Sequence, residues 1–204
     1  MQPQTSRYLD LARRGRNEWW RYLVGVLTIA FSWLVLGYVP YLLLVGAGVT
    51  DPVNDHLEVN FSIFMMLAGL AVTVKLVHRR PLLTLVTPEA RVGWRRIVQG
   101  AWVWVLIAAV ISGVEHLLYA DRYYLSFDPA RFFLFVPLVL VLTPIQTATE
   151  ELVFRGYAMQ GLALLTRRPA LVAAGSGVVF AVPHLLNPEV HQYGALIMAA
   201  NYYE

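Results

Sequence analysis

The sequence predicts an all-α integral membrane protein, a polytopic helical bundle. Three observations carry that prediction: 58% of the 204 residues are hydrophobic, only 14% are charged, and the uncharged residues fall into runs long enough to cross a bilayer. A soluble domain has about a quarter of its residues charged, so roughly half the expected charge is missing. That deficit excludes disorder, and the lack of any cysteine excludes a disulfide scaffold. The net charge of +3 comes from basic residues set between apolar runs rather than along one face, so no nucleic-acid partner is expected.

Runs without Asp, Glu, Lys or Arg place the helices at 22–50, 59–74, 97–114, 132–149, 169–188 and 190–203. A span needs about 20 apolar residues. The first run exceeds the core of a signal peptide, which has about 7–15 residues, and reads as an uncleaved anchor that Pro40 kinks or ends. The second spans only if Lys75 snorkels. Arg7, Arg13, Arg14, Arg16 and Arg21 precede the first span, and Lys75, Arg79, Arg80, Arg91, Arg95 and Arg96 separate the second from the third. The connection 50–58 has no Lys or Arg, and 115–131 has only Arg122 and Arg131. This alternation predicts a multi-pass protein of the cell membrane, a bacterial inner membrane, with its N-terminus cytoplasmic. Residues 1–21 form the cytoplasmic N-terminal segment, and 22–204 form the transmembrane bundle with the bilayer as its partner.

The stretch 143–157, TPIQTATEELVFRGY, carries polar groups out of an apolar run and continues as helix-favouring sequence to Leu165. Thr166-Arg167-Arg168-Pro169 then stops the helix, and Pro169 opens the next one. The result is an αα-hairpin over 145–187. Glu150 stands 17 residues before Arg167 and His184 stands 17 residues after it. At 1.5 Å per residue both lie roughly 25 Å from the turn, so an acid and an imidazole are expected at the same height inside the bundle.

At 100° per residue Thr143, Gln146, Thr147, Glu150, Phe154, Tyr157 and Gly161 share one face, a polar stripe expected to line a cavity or a neighbouring helix. On the next helix Ala173, Gly177 and Ala181 form a small-residue seam that turns His184 inward, with Phe180 one turn before it. Glu151 and Arg155 are an i, i+4 ion pair in the better orientation. Their pairing neutralises one charge and leaves Glu150 as the unmatched carboxylate, the type of group that suits a general base. The roles expected are water activation by Glu150, positioning by Glu151 and Arg155, and orientation of the water or oxyanion stabilisation by His184. Phe180, Thr147 and Tyr157 are the supporting residues.

Other readings compete with this one. Glu-Glu-x-x-x-Arg is an ordinary salt-bridged helix face in a soluble chain, whereas carboxylates inside a membrane are costly and point to function. A transporter or proton-relay bundle also uses buried Glu and His, although no repeated half is visible here. A non-catalytic membrane protein of the same fold, an immunity or partner-binding factor, is the second alternative. His56, His78 and His191 read as loop or interface residues. Glu115 and His116 read as interfacial, or as lining the same cavity. No cofactor is expected; Glu150 and His184 alone are too few for a closed zinc site, so a divalent metal such as zinc enters only as an alternative.

Glu150-Glu151-x-x-x-Arg155 followed by Phe180-x-x-x-His184, each in an apolar helix, resembles the first two motifs of the CAAX prenyl protease and bacteriocin-processing family of intramembrane glutamic proteases. That resemblance covers 146–187. It implies peptide-bond hydrolysis within the membrane, with the first Glu activating water, the histidine assisting, and a peptide or membrane-protein segment as substrate. The family's third motif, a His with an Asn four residues on in a later helix, is not met: Ala195 lies four after His191, and neither Asn187 nor Asn201 follows a His at that spacing. The sequence is therefore expected to be truncated at its C-terminus relative to the family, and inactive as it stands.

Overall fold

The computed structural model describes residues 4–48, 52–122, 124 and 127–185, and the statements below concern these residues. They are helical throughout, with no strand among them. The N-terminal segment forms α1 (Gln4–Leu9) and a tight 3-10 turn at Asp10–Arg14. The first span is α2 (Trp19–Phe31), a π-helical turn at Ser32–Leu36, and α3 (Val39–Gly46). The break falls at Gly37-Tyr38, just before Pro40, as the proline predicts. The second span is α4 (Pro52–Val72) and a π turn at Thr73–Val77, with Lys75 inside that last turn. The third is α5 (Trp94–Leu118).

The fourth is one continuous helix, Pro129–Leu165, made of α6 (Pro129–Glu150), a π-helical stretch at Glu151–Ala158 and α7 (Met159–Leu165). The hairpin closes with α8 (Pro169–His184). Four of these helices are long and apolar enough to cross a membrane, and α8 is shorter. At 1.5 Å per residue, Pro129–Leu165 is about 55 Å long, well beyond a hydrocarbon core of about 30 Å. The expected run 190–203 lies outside the described residues.

Local chemistry explains the ends of the fourth helix. Asp128 accepts from the N–H groups of Ala130 and Arg131 at 3.0 and 3.2 Å, and Pro129 sits where its missing N–H costs nothing. The helix continues through Pro137 and Pro144. The hydroxyls of Thr147 and Thr149 donate back to the carbonyls of Thr143 and Ile145, flanking Pro144, at 3.0 and 2.8 Å. Inside a bilayer such hydroxyls supply polar partners that water supplies elsewhere.

The core is built where the first two spans meet the hairpin. Along the second span, Ile63, Met66 and Leu70 of α4 and Val74 of the π turn are buried at the three-and-four spacing of one helical face. They pack with Ile29, Leu85, Val153, Phe154 and Tyr157. Two glycines permit the approach. A Cβ on Gly69 would meet the Ser32 side chain at 2.7 Å, and one on Gly25 would meet Thr73 Cγ2 at 2.7 Å and collide with the Tyr157 hydroxyl. By contrast α5 buries none of its residues. Its large apolar side chains stay exposed among the described residues, as those of a helix facing lipid can.

The two Arg-rich stretches converge at one end of the bundle. The N-terminal segment is more than a loose tail, because Leu11 and Ala12 are buried and Tyr8 donates to the carbonyl of Leu85 at 2.6 Å. Arg21 reaches from the first span to the carbonyl of Val77 at the end of the second, and its Nε donates to Glu18 at 2.5 Å. His78, expected in a loop or interface, is instead fully buried. Arg79, at φ 55°, turns the chain out of the span just after it.

Arg16 N–H donates to the His78 carbonyl and His78 Nδ1 donates to the Arg16 carbonyl, both at 2.8 Å. Because that carbonyl can only accept, Nδ1 carries the proton, and Nε2 accepts from the Tyr157 hydroxyl at 2.9 Å. Buried Arg80 donates to Gln160 Oε1 at 2.6 Å, and Gln160 donates to the Thr84 carbonyl at 2.7 Å. These bonds fasten the N-terminal segment and the 78–85 connection to the hairpin's first helix.

Gly25→Ala is expected to cost about 1–3 kcal/mol by overpacking. The check is thermal unfolding in detergent against Gly100→Ala on α5, where an added Cβ meets nothing within 4 Å. Burial holds the His78 imidazole below its ordinary value of 6.5, with Arg80 and Arg21 acting in the same direction. The unfolded chain therefore binds a proton there more readily than the folded one. Stability from this site is complete above pH 6.5 and is lost as pH falls below it. The native protein should lose more melting temperature between pH 7 and 5 than His78→Gln does.

Candidate active site

A cavity between the hairpin and the first two spans measures about 450 Å³. Gln146, Glu150, Phe154, Pro183 and His184 of the hairpin line one side, and Trp33, Val59, Ser62, Ile63 and Met66 of the first two spans line the other. The hairpin thus brings Glu150 and His184 to one space, as their equal count from Arg167 predicts. Gln146 Nε2 donates to Glu150 Oε1 at 3.3 Å, one helical turn away.

His184 Nδ1 donates to the carbonyl of Phe180 at 2.8 Å, and the two rings lie 4.5 Å apart. In the neutral form of the ring that tautomer makes Nε2 the acceptor nitrogen. Phe180 packs edge-on against Phe154 at 5.4 Å, so it backs both the histidine and the cavity wall.

Glu151 and Arg155 form the expected ion pair. The pair is half exposed rather than buried, with side-chain exposures of 46% and 48%. The Arg155 guanidinium also lies 4.9 Å above the Phe180 ring, tying the pair to the helix that carries His184.

Two supporting residues sit elsewhere. Thr147 is exposed, bonds only one turn back along its own helix, and does not line the cavity. Tyr157 is 3% exposed and faces His78 and Tyr22, its ring 5.6 Å from the latter. The reason is the π stretch at Glu151–Ala158. Bonding from i to i+5 widens the turn, so a wheel drawn at 100° per residue loses register beyond Glu150.

The packing seam of α8 meets expectation in part, for Gly177 and Ala181 are half-buried. Val172 and Ser176 are buried and Phe180 half-buried, whereas Ala173 is exposed. Ser176 donates to the Phe154 carbonyl at 3.0 Å, and the same carbonyl accepts from Met159 N–H five residues on. The hydroxyl selects this seam because the π stretch offers it a carbonyl. Glu115 and His116 are exposed at the end of α5 and do not line the cavity. His191, Asn187, Asn201 and the side chain of His56 lie outside the described residues.

Sequence reasoning missed Trp33, Ser62 and Met66, which complete the cavity from the first two spans. A lone serine within an apolar run was the one faint signal. Among the described residues no group of three or more His, Cys, Asp or Glu side chains is placed to hold a metal ion.

Comparison with known proteins bears on the same segment. Residues 129–203 match the family model described as type II CAAX prenyl endopeptidase, Rce1-like. The resemblance drawn from Glu150-Glu151-x-x-x-Arg155 and Phe180-x-x-x-His184 is borne out over that stretch. The uncharacterized protein YyaK of Bacillus subtilis (strain 168) is 30% identical over 193 residues, covering 87% of this chain and 64% of YyaK. The chain therefore spans just under two thirds of the length of that relative. No solved structure matches it. The chain is a multi-pass, all-helical membrane protein with a CAAX-protease-like segment.

Ser176→Val keeps the shape of the side chain but removes the donor to the Phe154 carbonyl. A loss of about 1 kcal/mol is expected, since the carbonyl keeps its Met159 partner. Chemical denaturation in detergent micelles, compared with Ala173→Val on the exposed neighbour, checks it.

Proposed function

We propose that this protein is an intramembrane endopeptidase. The observation that carries the reading is that Glu150 and His184 line one cavity on the two arms of a membrane-embedded hairpin. Their motifs lie within the CAAX-protease-like segment. The substrate class is a peptide or a membrane-protein segment.

In this mechanism the Glu150 carboxylate takes a proton from water while the water oxygen attacks the scissile carbonyl carbon. His184, its Nδ1 proton held by the Phe180 carbonyl, orients that water through Nε2. In the tetrahedral intermediate the same nitrogen accepts from the hydroxyl that the attacking water has become, which fixes the orientation of the intermediate. Collapse breaks the C–N bond, and the proton held by Glu150 passes to the departing amine, leaving a carboxylic acid and an amine as products. Gln146 and the Glu151–Arg155 pair position the helix turn that carries Glu150. The Arg-rich end is assigned to the cytoplasm by the positive-inside rule.

Should a divalent metal take part, Glu150 and His184 would hold it and it would polarise the water; among the described residues no third His, Cys, Asp or Glu is grouped with them.

Glu150→Gln should lower peptide cleavage in proteoliposomes by about 10²-fold or more while leaving expression and melting temperature intact. Cleavage unchanged in Glu150→Gln and in the Glu150→Gln, His184→Ala double variant would overturn the assignment in favour of a non-catalytic member of the same fold.

A further inference from the structure

Beside the Glu150 cavity lies a second space of about 210 Å³. Val26, Ile29 and Ala30 of the first span form one wall, and Val153, Ala158 and Val179 of the hairpin form the other. Trp33, Met66, Phe154 and Pro183 line both spaces and so form the partition between them. The two differ sharply in chemistry. The first has a carboxylate, an imidazole, an amide and a hydroxyl on its wall. The second is lined by apolar surface throughout, for the two tyrosines that border it have their hydroxyls engaged with Asn17 and His78. Val26 and Val179 are 55% and 41% exposed, so the slot also opens toward lipid.

Size narrows what the slot can take. An apolar protein cavity of about 150 Å³ takes up benzene. At 210 Å³ this slot holds one large aliphatic or aromatic side chain and is too small for a peptide segment. Side chains of an extended peptide alternate between faces. A peptide lying in the polar cavity can therefore send one side chain over the Trp33–Phe154 partition while its neighbours point away.

We infer that the apolar slot is a specificity pocket that receives one bulky apolar side chain of the substrate next to the scissile bond, its entrance shaped by Trp33, Met66 and Phe154. The inference rests on the reading of the Glu150 cavity as a peptidase site and adds a substrate class to it. The wall that the slot shares with the Glu150 cavity is what favours a substrate side chain over a bilayer lipid as the occupant.

The test uses the full chain in lipid nanodiscs and a mixture of eight-residue peptides randomised at every position, with the products sequenced by mass spectrometry. The native protein should enrich Leu, Met or Phe over Ala at one position beside the cut by about tenfold or more. Ala30→Phe and Val179→Phe fill the slot from opposite walls. Each should reduce that enrichment to about twofold or less, while peptides with Ala at the position are cleaved at a near-native rate. An enrichment unchanged in both variants overturns the inference, whether lipid occupies the slot or the peptide lies elsewhere.

Absence of any cleavage by the native protein counts against the peptidase reading, and a second arm then decides the slot by itself. The same peptides carrying p-benzoylphenylalanine are photo-crosslinked to the native protein and the adducts mapped. Adducts at 26–30, 153–158 or 179 support the pocket, and adducts confined to other segments overturn it.

Discussion

Between Glu151 and Ala158 the long hairpin helix bonds from i to i+5. In a bilayer such a change of register is sustained only if the surrounding protein supplies polar partners, because no water is at hand. Here Ser176 from α8 supplies a donor to the Phe154 carbonyl, and the chain enters the stretch directly after Glu150. The widened turn therefore lies between two regular helices and sets how they face. The helix before it presents Gln146 and Glu150 to the cavity, and the helix after it presents Gln160 to Arg80 at the basic end. π turns occur often at functional sites, and this one separates the candidate chemistry from the anchoring network within a single helix.

The basic end gives that helix something to pull against. His78, Tyr157, Arg80 and Gln160 are all buried and all come from the two ends of covalently distant elements. Burying polar groups in this number is costly unless they are bonded to one another. Because most of them are, the network fixes how the first two spans sit against the hairpin. That placement in turn brings Trp33, Ser62 and Met66 opposite Glu150 and closes the cavity. Gly25 and Gly69 let the helices come close enough for it.

The third span stands apart from this arrangement. Helix α5 is as apolar as the others yet buries no residue, so within the described residues the hairpin is supported by the first two spans, the N-terminal segment and the 78–85 connection. Apolar composition marks a helix for the membrane but says nothing about which helix it will touch. In lipid, contact is chosen by small residues and polar bonds rather than by hydrophobicity.

Much of the plan was legible in the sequence because it rests on local rules. Charge-free runs located the spans, Pro40 marked a break, and Thr166–Pro169 marked the hairpin turn. Counting from that turn placed Glu150 and His184 at one level, and their spacing with Glu151, Arg155 and Phe180 carried the family resemblance. What only the tertiary structure decided depends on register and partners. The polar stripe was drawn on an ideal helix, which could not show that Tyr157 meets Tyr22 and His78 rather than the Glu150 cavity, or that Val172 and Ser176 join Gly177 and Ala181 in packing α8, because a π turn leaves no mark in hydrophobic periodicity. His78 gave no signal because its burial depends on the Arg16 carbonyl, 62 residues away, and the Tyr157 hydroxyl, 79 residues away. A single helix reports its own apolar faces, and only the assembled bundle determines which polar groups meet across them.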